Sequence, residues 1–218
     1  DVNGDGLLDA YLSTYRPAVI GGSSPAGGVK GHSDDWPDHF LDPDEAAEYY
    51  RRHKEMEARN RGTHRALLDQ LGPSNVLLLN RGGGRFTRAE REAGLDVWRN
   101  TLQATFSDFD EDGDPDVYVA NDWAPDYLFR NDGDGTFSDV TKELGTTAFG
   151  FAMGASFGDY DNDGRQDLYV SNMFSKAGRR IIARLEGIHR EYAESAAGNY
   201  LYRQLENRSF ALVSGLEP

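Results

Sequence analysis

Three short acidic stretches hold the side chains best suited to chemistry: DVNGDGLLD at 1–9, DFDEDGDPD at 108–116 and DYDNDGRQD at 159–167. Each is a nine-residue turn with oxygen-bearing side chains at positions 1, 3, 5 and 9 and Gly at position 6. These side chains are Asp1, Asn3, Asp5 and Asp9 in the first loop, Asp108, Asp110, Asp112 and Asp116 in the second, and Asp159, Asp161, Asp163 and Asp167 in the third. The backbone carbonyl at position 7, from Leu7, Asp114 or Arg165, can add a further oxygen. Such a set suits a hard cation that takes six to eight oxygens at about 2.3–2.6 Å. With no His or Cys among the ligands, calcium is favoured over zinc or copper. Magnesium fits less well, because it gives up its water reluctantly and demands octahedral geometry. Up to three Ca2+ sites are expected. Gly6, Gly113 and Gly164 stand where the chain must turn sharply, and a positive φ is expected there.

An EF-hand begins in the same way but needs a Glu at position 12 and a following helix. Position 12 is Leu12, Val119 or Val170, each inside an alternating run such as Asp167-Leu168-Tyr169-Val170, so these loops connect strands. The plainer alternative is that the acids decorate hairpin turns, where Asp and Gly are common. One loop would leave the two readings level, but three with the same ligand spacing favour the cation. The Asn131-Asp132-Gly133-Asp134-Gly135 run reads as an ordinary turn.

The elements that position these loops repeat with them. GASFGDYDNDGRQDLYVSN (154–172) aligns without gaps to QATFSDFDEDGDPDVYVAN (103–121) at an offset of 51 residues, and the chain opens on a third copy. A second recurring hairpin follows each loop: NVLLLNRGGGRF ends at Phe86, DYLFRNDGDGTF at Phe137 and NYLYRQLENRSF at Phe210. One unit is a strand (Leu102 to Phe106), the acidic loop, a strand (Val117 to Ala120), a connection, a strand (Tyr127 to Arg130), a Gly-rich turn and a strand starting near Thr136. Four strands in about 50 residues is the proportion of a propeller blade, which needs neighbours to cover its faces. The expected fold class is therefore all-β with helical insertions, a β-propeller with about three blades present. The competing fold is a β-sandwich with similar hairpins.

Residues 1–218 form one partial propeller domain with two insertions, at 13–74 and 175–198. In the first, Asp42-Pro43-Asp44-Glu45 combines a cap, a proline suited to the first helical position and a capping-box Glu, predicting a helix to about Ala58. A second short helix is expected near Thr63 to Leu71. The second insertion also reads helical, with Ile181, Ile182, Leu185 and Ile188 spaced to pack on the scaffold. Its Arg179, Arg180, Arg184 and Arg190 form either a solvated face or a site for an acidic partner.

Composition limits the function. The chain has 218 residues, 23 Lys plus Arg against 37 Asp plus Glu, and a net charge of −14, so nucleic acid and anionic membranes are poor partners and cations good ones. No apolar run approaches about 20 residues, so no membrane span is expected. The absence of Cys excludes disulfides, thiolate metal sites and cysteine nucleophiles. The five histidines fall in the insertions without shared spacing, and neither GxSxG nor HExxH occurs. No catalytic residue is assigned, and a non-enzymatic role is favoured.

The DxDxDGxxD-type loops resemble the FG-GAP or VCBS repeats of integrin-like calcium-binding β-propellers. More narrowly, MGASFGDYDNDGRQDLYVSNMFSKAGRR (153–180) followed by GNYLYR (198–203) is similar to the propeller region of bacterial proteins related to cartilage acidic protein 1, which often carry a C-terminal ASPIC/UnbV domain. No ASPIC/UnbV-like segment occurs within the 218 residues. The resemblance implies a seven-bladed ring with calcium bound within blades, secreted, periplasmic or at the cell surface of a bacterium. Remaining blades or other chains would complete that ring. The implied function is binding or adhesion to a protein or glycan ligand. The alternatives are the propeller of a carbohydrate-active enzyme such as a polysaccharide lyase, and a structural segment of a larger assembly.

Overall fold

Apolar residues alternate in the run that follows each acidic loop, and the chain there forms strands. The computed structural model describes residues 1–15, 43–62, 69–174, 195 and 197–215. Eleven strands and two helices occur among them, in the order β1 (Ala10–Leu12), α1 (Pro43–Asn60), β2 (Val76–Asn80), β3 (Phe86–Arg88), β4 (Asn100–Ser107), β5 (Asp116–Asp122), β6 (Tyr127–Asn131), β7 (Phe137–Asp139), α2 (Thr141–Leu144), β8 (Ala152–Gly158), β9 (Asp167–Asn172), β10 (Tyr200–Gln204) and β11 (Phe210–Gly215). They make three antiparallel meanders: β1-β2-β3, β4-β5-β6-β7 and β8-β9-β10-β11. The second and third acidic loops join the first two strands of their sheets, β4 to β5 and β8 to β9. The first loop leads into β1, so its sheet has three strands. The described sheets do not close into a ring.

Corresponding strands pair in corresponding register. Ser107 faces Asp116 and Phe106 faces Val117 in the second sheet, as Gly158 faces Asp167 and Phe157 faces Leu168 in the third. Both pairs of strands also carry a bulge at the same place, between Thr101 and Gln103 and between Ala152 and Gly154.

The sheets stack through two apolar layers, because side chains alternate across a strand. Strand β5 is buried along its whole length. Val117 and Val119 point into a layer shared with Leu77, Leu95 and Phe129 between the first and second sheets. Tyr118 and Ala120 point the other way, to Leu168, Val170 and Tyr202 of the third. The connection after β3 is pinned to the second sheet: Phe137 N–H donates to Ala93 O at 2.8 Å, and Gly94 lies so close that a Cβ there would sit 2.7 Å from Phe137 O. With φ +76 as well, that position requires glycine.

Helix α1 carries Asp44 and Glu45 in its first turn and Arg59 in its last, which complements the helix dipole. It buries Tyr49 and Met56. Arg52 lies over the Trp98 ring at 5.0 Å and pairs with Asp96 at 3.4 Å, and Arg88 pairs with Glu45. The expected cap Asp42, most of the second short helix and nearly all of the 175–198 insertion lie outside the described residues. No helix among the described residues is long and apolar enough to cross a membrane.

Candidate metal centres

The three acidic loops fold alike, and each is closed by its own amides. The position 1 carboxylate accepts from the N–H groups of positions 5 and 6. Asp108 takes Asp112 and Gly113, both at 3.0 Å; Asp159 takes Asp163 at 3.0 Å and Gly164 at 2.9 Å; Asp1 takes Asp5 at 3.0 Å and Gly6 at 2.8 Å. The position 5 carboxylate then accepts from position 7, at 2.9 Å in Asp112 and Asp5 and 3.0 Å in Asp163. Gly6, Gly113 and Gly164 have φ of 82, 101 and 87, as their placement in the motif predicts. Position 4 is also left-handed, at Gly4, Glu111 and Asn162, with φ of 70, 61 and 59. Residue type does not signal this at Glu111, because acids larger than Asp rarely adopt that conformation.

The position 9 carboxylate fastens the loop to the third strand of its sheet. Asp116 accepts from Phe109 N–H at 3.0 Å and from Asn131 N–H, at the end of β6, at 2.8 Å. Asp167 does the same with Tyr160 at 3.1 Å and Gln204, at the end of β10, at 2.8 Å. Asp9 does so with Val2 at 2.9 Å and Asn80, at the end of β2, at 2.8 Å. The same third-strand residue reaches back one sheet: Asn131 Nδ2 donates to Val2 O at 2.9 Å and Gln204 Nε2 to Phe109 O at 2.8 Å. Consecutive loops are thus riveted in series, which nothing in the spacing of the ligands foretold.

Carboxylate oxygens of Asp108, Asp110 and Asp116 gather within 4.8 Å of one another, and so do those of Asp159, Asp161 and Asp167. These two clusters could hold a metal ion. Asp112 and Asp163 stay outside the triads as turn acceptors. In the first loop Asn3 replaces the acid at position 3 and donates to Asp5 Oδ2 at 3.2 Å, and Asp1, Asp5 and Asp9 do not gather into a carboxylate triad of that kind.

The second loop holds its acids close together. Asp110 Oδ1 is shielded from water and has no hydrogen-bond partner. Burial, and then the Asp112 charge, push the Asp110 carboxyl above its usual range, against the opposing pull of the Asp112 amide and the Arg130 charge. Burial also pushes Asp116 up to about 7, against the opposing pull of the Asn131 and Phe109 amides. An orphaned oxygen beside acids held reluctantly in their charged form fits a hard divalent ion, which would supply the missing charge. In the third loop, burial alone would raise Asp163, but the Arg165 amide and the Arg203 guanidinium outweigh it and hold its carboxyl below the usual range. The Asn131–Gly135 turn spends its acids locally: Asp134 accepts from Thr136, and Asp132 from Arg130 and Ser138.

At the far end of each sheet a second set of residues repeats. The residue before the third strand accepts from the backbone N–H that ends the second: Asn75 from Thr14 at 2.9 Å, Asp126 from Asn121 at 2.7 Å, and Asn199 from Asn172 at 2.9 Å. Its other side-chain atom meets a tyrosine hydroxyl of the second strand: Asn75 with Tyr11 at 3.1 Å, Asp126 with Tyr118 at 2.8 Å, and Asn199 with Tyr169 at 2.5 Å. Sequence reasoning missed this clasp, although its signal was present in the aligned Tyr and in the Asn or Asp that opens each NVLLLN-type hairpin.

With this geometry in place, residues 108–170 match the family described as FG-GAP-like repeat. The chain is also similar to cartilage acidic protein 1, at 26% identity over 101 residues for the Xenopus tropicalis protein and 28% over 101 residues for the Homo sapiens and Mus musculus proteins. Each match covers 45% of this chain and 14% of the relative, so the chain spans a small part of those proteins. Both findings agree with the resemblance carried by the DxDxDG loops: the chain contains an FG-GAP-like repeat and is related to cartilage acidic protein 1.

Proposed function

We infer that residues 1–218 are part of an integrin-like β-propeller whose blades are stabilised by calcium, and that the protein serves extracellular or surface binding. The observation that carries this reading is the pairing of a closed carboxylate triad with the unpartnered Asp110 Oδ1 in a loop that fastens three strands together. Calcium would be held by Asp108, Asp110 and Asp116 in the second loop and by Asp159, Asp161 and Asp167 in the third, with Asp112, Asp163 and the position 7 carbonyls as further oxygens. The first loop, with Asn3, offers a less charged site. The bound ion would supply positive charge that turns mutual repulsion of the acids into closure of the turn. The chain's part is to hold the turn open at the right size through the position 1 and position 9 carboxylates.

Two of the connections between second and third strands are long, and the insertions at 13–74 and 175–198 that fill them are the proposed seat of specificity for a protein or glycan ligand, since loops on a rigid scaffold carry recognition. Further repeats, from the same or other chains, would cover the third sheet as the third sheet covers the second. Calorimetric titration of calcium into chelated protein tests the reading. With sites of about 10–100 μM, 1 mM calcium stabilises the fold by about 1.4–2.7 kcal/mol per site and raises the melting temperature, while equal magnesium restores little. No heat and no shift in melting would leave the acids as turn residues.

A further inference from the structure

The third loop differs from the second in already being answered by positive charge. Arg203, on β10, places Nε 2.7 Å from Asp161 Oδ2, an ionic contact without hydrogen-bond alignment, and its terminal nitrogen 3.1 Å from Asp163 Oδ2. Arg165, at position 7 of the loop, pairs with Asp163 as well. The repeat alignment explains why this happens only here. The counterpart of Arg203 is Arg130, which is drawn away to Asp132 of the following turn at 3.2 Å. The residue equivalent to Asp132 in the third sheet is Leu205, so Arg203 has no competing carboxylate at that place in its own turn. The counterpart of Arg165 is Asp114, another acid. In the second loop the added cation, Arg208, pairs at 2.8 Å with Glu111 at position 4, which is not a ligand position. Asp110 Oδ1, at position 3, stays unpartnered, while its equivalent Asp161 faces a guanidinium.

We propose that Arg165 and Arg203 are built-in counter-cations of the third loop, which hold it closed without metal and compete with calcium for Asp161 and Asp163. The inference rests on the calcium reading above and divides its sites. Residues 108–116 form the tight site, whose position 3 and position 5 carboxylates make no ion pair with a guanidinium among the described residues. Residues 159–167 form a weaker site, at which an entering ion must first displace Arg203 from the position 3 and position 5 carboxylates.

The test is calorimetric titration of calcium into the chelated chain, with melting in chelator as a second readout. Asp110→Asn weakens the tight step and so identifies it. Arg203→Gln tightens the weak step by about fivefold, the scale of a partly exposed ion pair. It also lowers the melting temperature in chelator and enlarges the calcium-induced rise, while the tight step keeps its affinity. Leu205→Asp keeps the arginine but gives it the acceptor that Arg130 has, and it shifts the weak step in the same direction. Arg130→Gln leaves the weak step unchanged. If the wild type binds calcium but both Arg203→Gln and Leu205→Asp leave the weak step unchanged or weaker, the counter-cation role is overturned. If the wild type shows no calcium heat at all, the calcium reading itself fails, and the division of sites with it.

Discussion

A buried carboxyl distinguishes the middle repeat from the outer two. Asn75 and Asn199 close their clasps with neutral amides, whereas Asp126 closes its own with a buried acid. Burial pushes this acid up to about 7, outweighing the Asn121 amide and the Tyr118 hydroxyl. Its folded value lies above the ordinary 3.8, so between about pH 4 and 7 the folded chain holds a proton that the unfolded chain has lost. Stability from this group is therefore present at low pH and declines as pH rises toward 7. Asp126→Asn, which copies the flanking repeats, should gain about 2–3 kcal/mol of stability relative to wild type between pH 5 and pH 7.5. Urea unfolding at the two pH values, in chelator, measures this; a difference that does not vary with pH would contradict the assignment.

Within a sheet, the position 9 carboxylate ties loop and strands together. Asp116 is fully buried and satisfies two backbone amides. Asp116→Ala should cost about 2–4 kcal/mol even in chelator, because both N–H groups lose that acceptor in the core. Asp9→Ala should cost less, since Asp9 is only half-buried and β1 is an edge strand of its sheet among the described residues. Equal losses from denaturant melts of the two variants would show that burial does not set the strength of the clasp. The same bond explains why position 9 is acidic even where position 3 is Asn: its first duty is to the fold.

Across the whole molecule, stacking of sheets decides which of three equivalent tyrosines is core. Tyr11, Tyr118 and Tyr169 occupy the same place in their repeats, yet Tyr118 is 1% exposed and Tyr169 38%. The face of β9 carrying Tyr169 and its cross-strand partner Leu201 points away from the apolar layer, and no described sheet covers it. In the 218-residue chain, Tyr118→Ala should cost about 3–5 kcal/mol and Tyr169→Ala under about 1 kcal/mol. In a longer chain supplying a fourth sheet the two costs should converge, and failure to converge in paired thermal melts would argue against another sheet stacking there.

The acidic loops, their hairpins and the order of strands were legible in the sequence because each acidic set lies within nine residues and each strand pairs with its neighbour in the chain. Local spacing was enough to find them, and β4 and β5 begin and end within two residues of the strands expected around 102–106 and 117–120. The Asp42-Pro43-Asp44-Glu45 run marked the start of α1, which begins at Pro43, and its end at Asn60 lies two residues beyond the expected Ala58. The clasps that join Asp116 to Asn131 and Gln204 to Phe109, the diversion of Arg130 to Asp132, and the capture of Asp161 by Arg203 were not legible. Nor was the contrast between Tyr118 and Tyr169, which share almost the same local sequence. These were decided by tertiary structure, because burial and the choice among competing charges depend on what the neighbouring sheet places within a few ångströms, and residues close in the chain do not specify that.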